Sequence, residues 1–290
     1  MKIIHSPSSM TAWSRRLRRE GVVIGLVPTM GALHDGHRAL IREARLNCDA
    51  LVVSIFVNPT QFAPNEDLAA YPRRISWDRR LCREEGVDAC FEPTVAEMYP
   101  QRFQTVITVP GIAGRWEGES RPHHFAGVAT VVTKLFNIVG PDIVWFGQKD
   151  FQQCAVVKQL VTDLNLGIRL VVCPTVREPD GLALSSRNVF LAAKERRLAP
   201  TLYQALLAGR QTIEKGVTNP EAVQAAMRKV LSGQPAIRID YLAICDPDTL
   251  EPLHRIERVG VLLGAIRLGS VRLIDNVLAK RNPVKKADSR

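Results

Sequence analysis

Val22-Val-Ile-Gly-Leu-Val27-Pro-Thr-Met-Gly-Ala-Leu-His34-Asp-Gly-His37-Arg-Ala-Leu-Ile-Arg-Glu-Ala44 is the stretch on which the reading of the fold turns. It opens on a short β-branched and apolar run, the pattern of a strand buried on both faces. From Arg38 the apolar residues recur at helical spacing, so a loop joins a strand to an amphipathic helix. The same alternation repeats along the chain. Leu51 to Val57, Val87 to Phe91, Ile143 to Phe146 and Ile168 to Val172 are further short apolar runs, separated by segments long enough for helices. Between them Val128, Val131, Val132, Leu135, Phe136 and Val139 form one buried stripe on a helix that stops near Gly140-Pro141. Residues 1–175 therefore predict a doubly wound α/β domain built on a parallel sheet. Its ligands belong beyond the carboxyl ends of the strands.

From Pro174 the texture changes. A polar loop leads into helical stretches at Ala192 to Lys215 and Pro220 to Leu231, then strand-like Ile237 to Cys245, Val259 to Ile266 and Val271 to Ile274. Strands without intervening helices predict an antiparallel sheet, so residues 176–290 read as a smaller α+β domain. The tail from Lys280 to Arg290 is basic and polar, and mobility is expected of it.

The bulk properties narrow the function. The 290 residues are 46% hydrophobic, too apolar for a disordered chain. The six cysteines are scattered with no C-x-x-C pair, and no basic-then-apolar leader precedes them, which points to reduced thiols in the cytoplasm. Apolar runs fall far short of the roughly 20 residues a bilayer span needs, so no membrane role is expected. A net charge of +10 suits either nucleic acid or anionic small molecules. The aromatic residues form no basic-aromatic stacking motif, which disfavours an RNA-binding protein.

The loops after the strands carry the candidate chemistry. In Met30-Gly-Ala-Leu-His34-Asp-Gly-His37, Gly31 and Gly36 permit close backbone approach and the helix start favours anions. Two imidazoles three residues apart can face one phosphate; the plainer alternative is that His34 and His37 serve as turn and cap residues. Phe56-Val-Asn58-Pro-Thr-Gln61 puts two amides at the same rim, suited to a substrate carrying both hydroxyl and carboxylate groups, unless Asn58 merely ends the strand. Carboxylates from Glu66 to Asp78 are candidates for magnesium, directly or through water. Arg121, His123 and His124 at the start of the long helix suggest an anion rim, with capping and packing as the alternative. Gly147-Gln-Lys149-Asp150 opens another helix, where Lys149 can follow charge on a moving phosphate. Of the neighbouring Gln152 and Gln153, at most one can face the cleft. Finally, Leu184-Ser185-Ser186-Arg187 supplies hydroxyls and a forked guanidinium at the domain boundary.

Taken in order along the chain, these motifs resemble the pantothenate synthetase family, the pantoate and β-alanine ligases of the nucleotidyltransferase α/β superfamily. The residues that carry the resemblance are Val27 to His37, Phe56 to Phe62, Tyr71-Pro-Arg73, Arg121 to Gly127, Gly147 to Gln153, Asp180 to Asn188 and Arg272 to Asn276. His123 and the stretch Arg74-Ile-Ser-Trp77 depart from the usual pattern. The resemblance implies a Rossmann-like first domain. It implies ATP contacts from Met30, Gly31, Ala32, Leu33, His34, Asp35, Gly36 and His37, from Gly147, Gln148, Lys149 and Asp150, and from Val176, Leu184, Ser185, Ser186 and Arg187. Pantoate contacts are implied for Gln61 and Gln153, with β-alanine near Gln61 and Asn58 beside them. His37 takes the proton-donor role by resemblance, Asp78 is associated with Mg2+, and a homodimer is implied. The expected activity joins pantoate to β-alanine through a pantoyl adenylate, releasing pyrophosphate and AMP. His34, His37, Lys149 and Arg187 stabilise the phosphates, and the second domain acts as a lid. The expected partners are small molecules alone, with neither nucleic acid nor membrane. A transferase that makes a dinucleotide-like product is the other enzyme compatible with H-x-G-H.

Overall fold

The buried apolar runs become the strands of a parallel sheet. In the computed structural model, which describes residues 1–64, 66 and 68–281, the first part of the chain runs β1 (Lys2–Ile4), α1 (Pro7–Arg19), β2 (Ile24–Thr29), α2 (Asp35–Arg45), β3 (Ala50–Ile55), α3 (Ile75–Glu84) and β4 (Ala89–Phe91). It continues through the short α4 (Val95–Met98), α5 (Pro110–Ala113) and α6 (Glu117–Ser120) to α7 (His124–Val139), β5 (Ile143–Gly147), α8 (Phe151–Asp163) and β6 (Arg169–Cys173). The six strands lie in the order β1-β4-β3-β2-β5-β6, and every pairing is parallel. The chain steps outward from β2 through β3 to β4 on one side and places β5 and β6 on the other. The reversal falls between β2 and β5, the kind of place where doubly wound sheets open a crevice.

Alternate residues of each strand feed two apolar layers. Ile24, Leu26, Val52, Phe91, Val144 and Phe146 pack under α1, α7 and α8, whereas Val27, Leu51, Val53, Cys90 and Trp145 pack under α2 and α3. The stripe on α7 forms as its spacing predicts, and the helix ends where Gly140 turns left-handed at φ +58°. A difference from the sequence reading is β1, whose three residues carry too little pattern to be seen without their partner β4.

The chain divides into two compact units, Met1–Val176 with Leu184–Ser186, and Arg177–Ala183 with the residues from Arg187 on. The second unit contains α9 (Ala193–Leu198), α10 (Thr201–Glu214), α11 (Pro220–Ser232) and an antiparallel sheet of β7 (Ile237–Cys245), β8 (Val259–Leu268) and β9 (Val271–Lys280) in that order. The single helical stretch expected over Ala192 to Lys215 is two helices. Pro200, which has no N–H to donate, stands at the break. β9 runs on to Lys280, because Asn276 and its neighbours stay paired with β8. The remainder of the tail expected to be mobile, residues 282–290, lies outside the described residues. No helix among the described residues is long and apolar enough to cross a membrane.

Candidate active site

The loop after β2 is held in a conformation that costs free energy. Gly31 and Ala32 are both left-handed, at φ +82° and +51°. For alanine that backbone costs on the order of 1 kcal/mol, and the surroundings must over-determine it. They do so through Asp78 on α3, whose carboxylate accepts the backbone N–H of Ala32 at 3.0 Å and of Leu33 at 2.8 Å. A Cβ on Gly31 would stand 3.0 Å from the same carboxylate. Trp77, in the stretch that departs from the family pattern, donates its indole N–H to the Leu33 carbonyl at 3.1 Å. Asp78, expected from the sequence as a magnesium ligand, braces this loop. It is 1% exposed, burial pushes its pKa up, and each of its oxygens accepts one N–H of the loop. Among the described residues no three His, Cys, Asp or Glu side chains gather as a metal site.

His34 and His37 close the N-terminus of α2 as a reciprocal cap. His34 Nδ1 accepts the N–H of Gly36 at 3.1 Å, and His37 Nδ1 accepts the N–H of His34 at 3.3 Å. A backbone N–H can only donate, so both Nδ1 atoms are bare and each neutral ring carries its proton on Nε2. The cap therefore sets the tautomer, and the plain reading of His34 and His37 as cap residues holds. The rings lie 4.2 Å apart between centroids. Burial and Lys149 lower His34 to a pKa of about 4, and burial with the neighbouring His34 lowers His37 to about 3. At neutral pH two uncharged N–H donors stand at a helix N-terminus.

Lys149 reaches this place from the end of the adjacent strand β5, in the 3-10 turn Gln148–Asp150, with Nζ 3.4 Å from Asp150 Oδ1. Its charge is one of the causes that depress both imidazoles. Leu184–Ser186 belong to the same unit. The Ser186 hydroxyl donates to the Ala32 carbonyl at 3.3 Å, and the Leu184 N–H donates to Val176 O at 3.0 Å. Arg187 starts the next segment of the second unit.

The loop after β3 is braced differently. Asn58, expected from the sequence at the substrate rim, is 1% exposed with both ends of its amide engaged inside the protein, and it supports the loop. Gln61 lies next to it in the 3-10 turn Pro59–Gln61, and its Nε2 donates to Met30 Sδ at 2.9 Å. The carbonyl of Gln61 meets His124 Nδ1 at 2.9 Å and accepts from Arg121 at 3.2 Å, while Arg121 pairs with Glu66 and Glu117. For Arg121 and His124 the structure shows the packing alternative: both groups engage protein partners and hold the loop. Of the two glutamines on α8, Gln152 is internal, accepting from Glu117 N–H and donating to the Ile112 and Arg115 carbonyls. That leaves Gln153, half-buried on the next position, as the one able to face a ligand. Sequence reasoning missed Trp77 and Tyr99, neither of which sits in a chemical motif.

The family model described as pantoate-beta-alanine ligase matches residues 2–278. The chain belongs to that family. Pantothenate synthetase of Moorella thermoacetica is 49% identical over 282 residues, covering 97% of this chain and all of that one. The crystal structure of pantothenate synthetase from Thermus thermophilus superposes with a TM-score of 0.91 at 46% identity, over 96% of this chain and 99% of the other. A pantoate-beta-alanine ligase from Francisella tularensis, solved in complex with β-γ ATP and β-alanine, matches with a TM-score of 0.79 at 35% identity, over 96% and 97% of the two chains. Membership makes the chain an ATP-dependent ligase that condenses pantoate with β-alanine. It decides between the two enzymes that H-x-G-H left open.

Proposed function

We propose the following division of labour among the residues of the pantoate–β-alanine ligase site. A pantoate carboxylate oxygen attacks the α-phosphorus of ATP, the bond to the β-phosphate oxygen breaks, and pyrophosphate leaves with its electron pair. The amine of β-alanine then attacks the acyl carbon of pantoyl adenylate, AMP departs, and the amine proton is lost to solvent. His34 and His37 donate from Nε2 to phosphate oxygens, and Lys149 follows the charge that builds on the leaving pyrophosphate. His37, the proton donor by family resemblance, acts here as a hydrogen-bond donor that keeps its Nε2 proton. The residues Met30 to His37 and Gly147 to Asp150, with Val176 and Leu184 to Arg187, hold ATP. Gln61 and Gln153 hold pantoate, so that attack is effectively intramolecular.

The observation that carries this reading is the pairing of two neutral Nε2–H donors with the Lys149 cation on adjacent strands at the switch point of the sheet. In this reading Mg2+ accompanies the phosphates of ATP, and no step is assigned to it. The same reading takes the enzyme as a cytoplasmic homodimer and its partners as small molecules alone.

The test is exchange of labelled pyrophosphate into ATP. Exchange is expected only when pantoate is present and without need of β-alanine; exchange that ignores pantoate, or that waits for β-alanine, overturns the two-step order.

A further inference from the structure

We infer that Asn58 fixes which end of the Gln61 amide faces the substrate, and that the Tyr99 hydroxyl, the closest of the donors holding Asn58 Oδ1, is a positioning residue for pantoate. This rests on the reading of Gln61 as a pantoate contact and adds the polarity of that contact.

An amide side chain can turn over by 180° with little steric change, so its polarity is set by its partners. For Asn58 those partners leave no choice. Its Oδ1 accepts from the backbone N–H of Thr60 at 3.4 Å, the Thr60 hydroxyl at 3.0 Å and the Tyr99 hydroxyl at 2.8 Å. The opposite end, Nδ2, donates to the carbonyl of Gly127 at 3.1 Å. One neighbour is a backbone N–H, which can only donate, and the other a backbone carbonyl, which can only accept; turned over, Asn58 would lose both. Gly127 is needed for this approach, because a Cβ there would collide with the Thr60 carbonyl.

The second hydrogen of Asn58 Nδ2 donates to Gln61 Oε1 at 3.2 Å. That pins the oxygen of Gln61 inward and turns its NH2 group toward Met30 Sδ, a weak acceptor that a better one can displace. Gln61 therefore presents donors only, and what it recognises is an acceptor: a carboxylate or the lone pair of a hydroxyl. Tyr99 is suited to anchor the relay. Its ring packs against Phe56 and Phe103, with centroids at 6.2 and 5.1 Å, and burial raises its pKa, so the phenol stays protonated as a donor.

Tyr99→Phe removes the donor and keeps the ring. In pantoate-dependent pyrophosphate exchange we expect the pantoate concentration for half-maximal rate to rise about 3- to 10-fold, the yield of one hydrogen bond, with the ATP dependence unchanged. Asn58→Asp replaces the donor to Gln61 with a carboxylate, so Gln61 turns its oxygen outward and the rise exceeds that of Tyr99→Phe. In the double variant Tyr99→Phe/Gln61→Ala the rise should equal that of Gln61→Ala alone, because the tyrosine acts through the glutamine. If the two effects multiply, or if Tyr99→Phe changes the ATP dependence instead, the relay is refuted. If Gln61→Ala itself leaves the pantoate dependence as it was, the contact reading of Gln61 falls first and the relay with it.

Discussion

The chain holds two pairs of histidines at helix starts, and they do opposite things. His34 and His37 cap α2 through Nδ1 and keep an N–H on Nε2 for a ligand, with Lys149 beside them. At the start of α7, His124 spends its Nδ1 on the Gln61 carbonyl, and His123 is exposed. Burial lowers the pKa of His124 to about 4 as it does those of the first pair, so a depressed pKa alone does not mark a catalytic group. What separates the pairs is the position in the sheet. The first follows β2 at the switch point, next to the strand that brings a cation; the second follows the short helices α5 and α6, where the side chains meet protein partners.

The largest effect should come from the first pair. His37→Ala and Lys149→Ala are expected to lower turnover about 100- to 1,000-fold, the loss typical of a donor to a transferring charge, while the circular dichroism stays native. A loss of the same size from His124→Ala would break the comparison. Acid stability should sharpen it. His34, His37 and His124 all have folded pKa values below the usual 6.5, so between that value and about 3 to 4 the unfolded chain binds more protons than the folded one. Stability is then full above pH 6.5 and falls as the pH drops, by about 1.4 kcal/mol per pH unit for each imidazole. Phosphate charge raises the pKa of histidines it contacts and leaves His124 alone, so thermal melts with ATP should show a shallower slope on the acid side.

A smaller change is expected at the bracing pair. His124→Ala should raise the half-saturating pantoate concentration several-fold and leave that for ATP unchanged, since it releases only the Gln61 backbone; an effect on ATP alone would contradict it. The smallest belongs to the support of the left-handed turn. Asp78→Asn keeps one acceptor and loses one backbone hydrogen bond, about 1 kcal/mol. It should weaken ATP several-fold without altering the response to magnesium concentration; a steep new magnesium requirement would restore Asp78 as a metal ligand.

Much of this was readable beforehand because strand, glycine loop and helix are local patterns. The sheet class, the antiparallel second unit and the phosphate loop follow from residues near one another in sequence. The site is less legible for a physical reason: a buried group that braces a loop has the same residue type as one that binds a ligand. Asp78 and Asn58 look like ligand contacts until their partners at Ala32, Leu33 and Gly127 are seen. Tyr99 meets Asn58 across 41 positions of chain, and no local pattern announces such a contact. β1 is too short to show a period, and the break between α9 and α10 hangs on one proline that a helical pattern alone tends to pass over.

The strand order has a consequence for how the molecule is made. β2, which carries the histidines, lies between β3 and β5, and β5 carries the lysine. A ribosome releases β2, β3 and β4 well before β5, so the early chain holds a half-sheet whose histidine loop has no cation beside it. Domains tend to fold as units while the chain emerges. On the proposed reading, the grip on ATP is completed only after translation has passed Lys149.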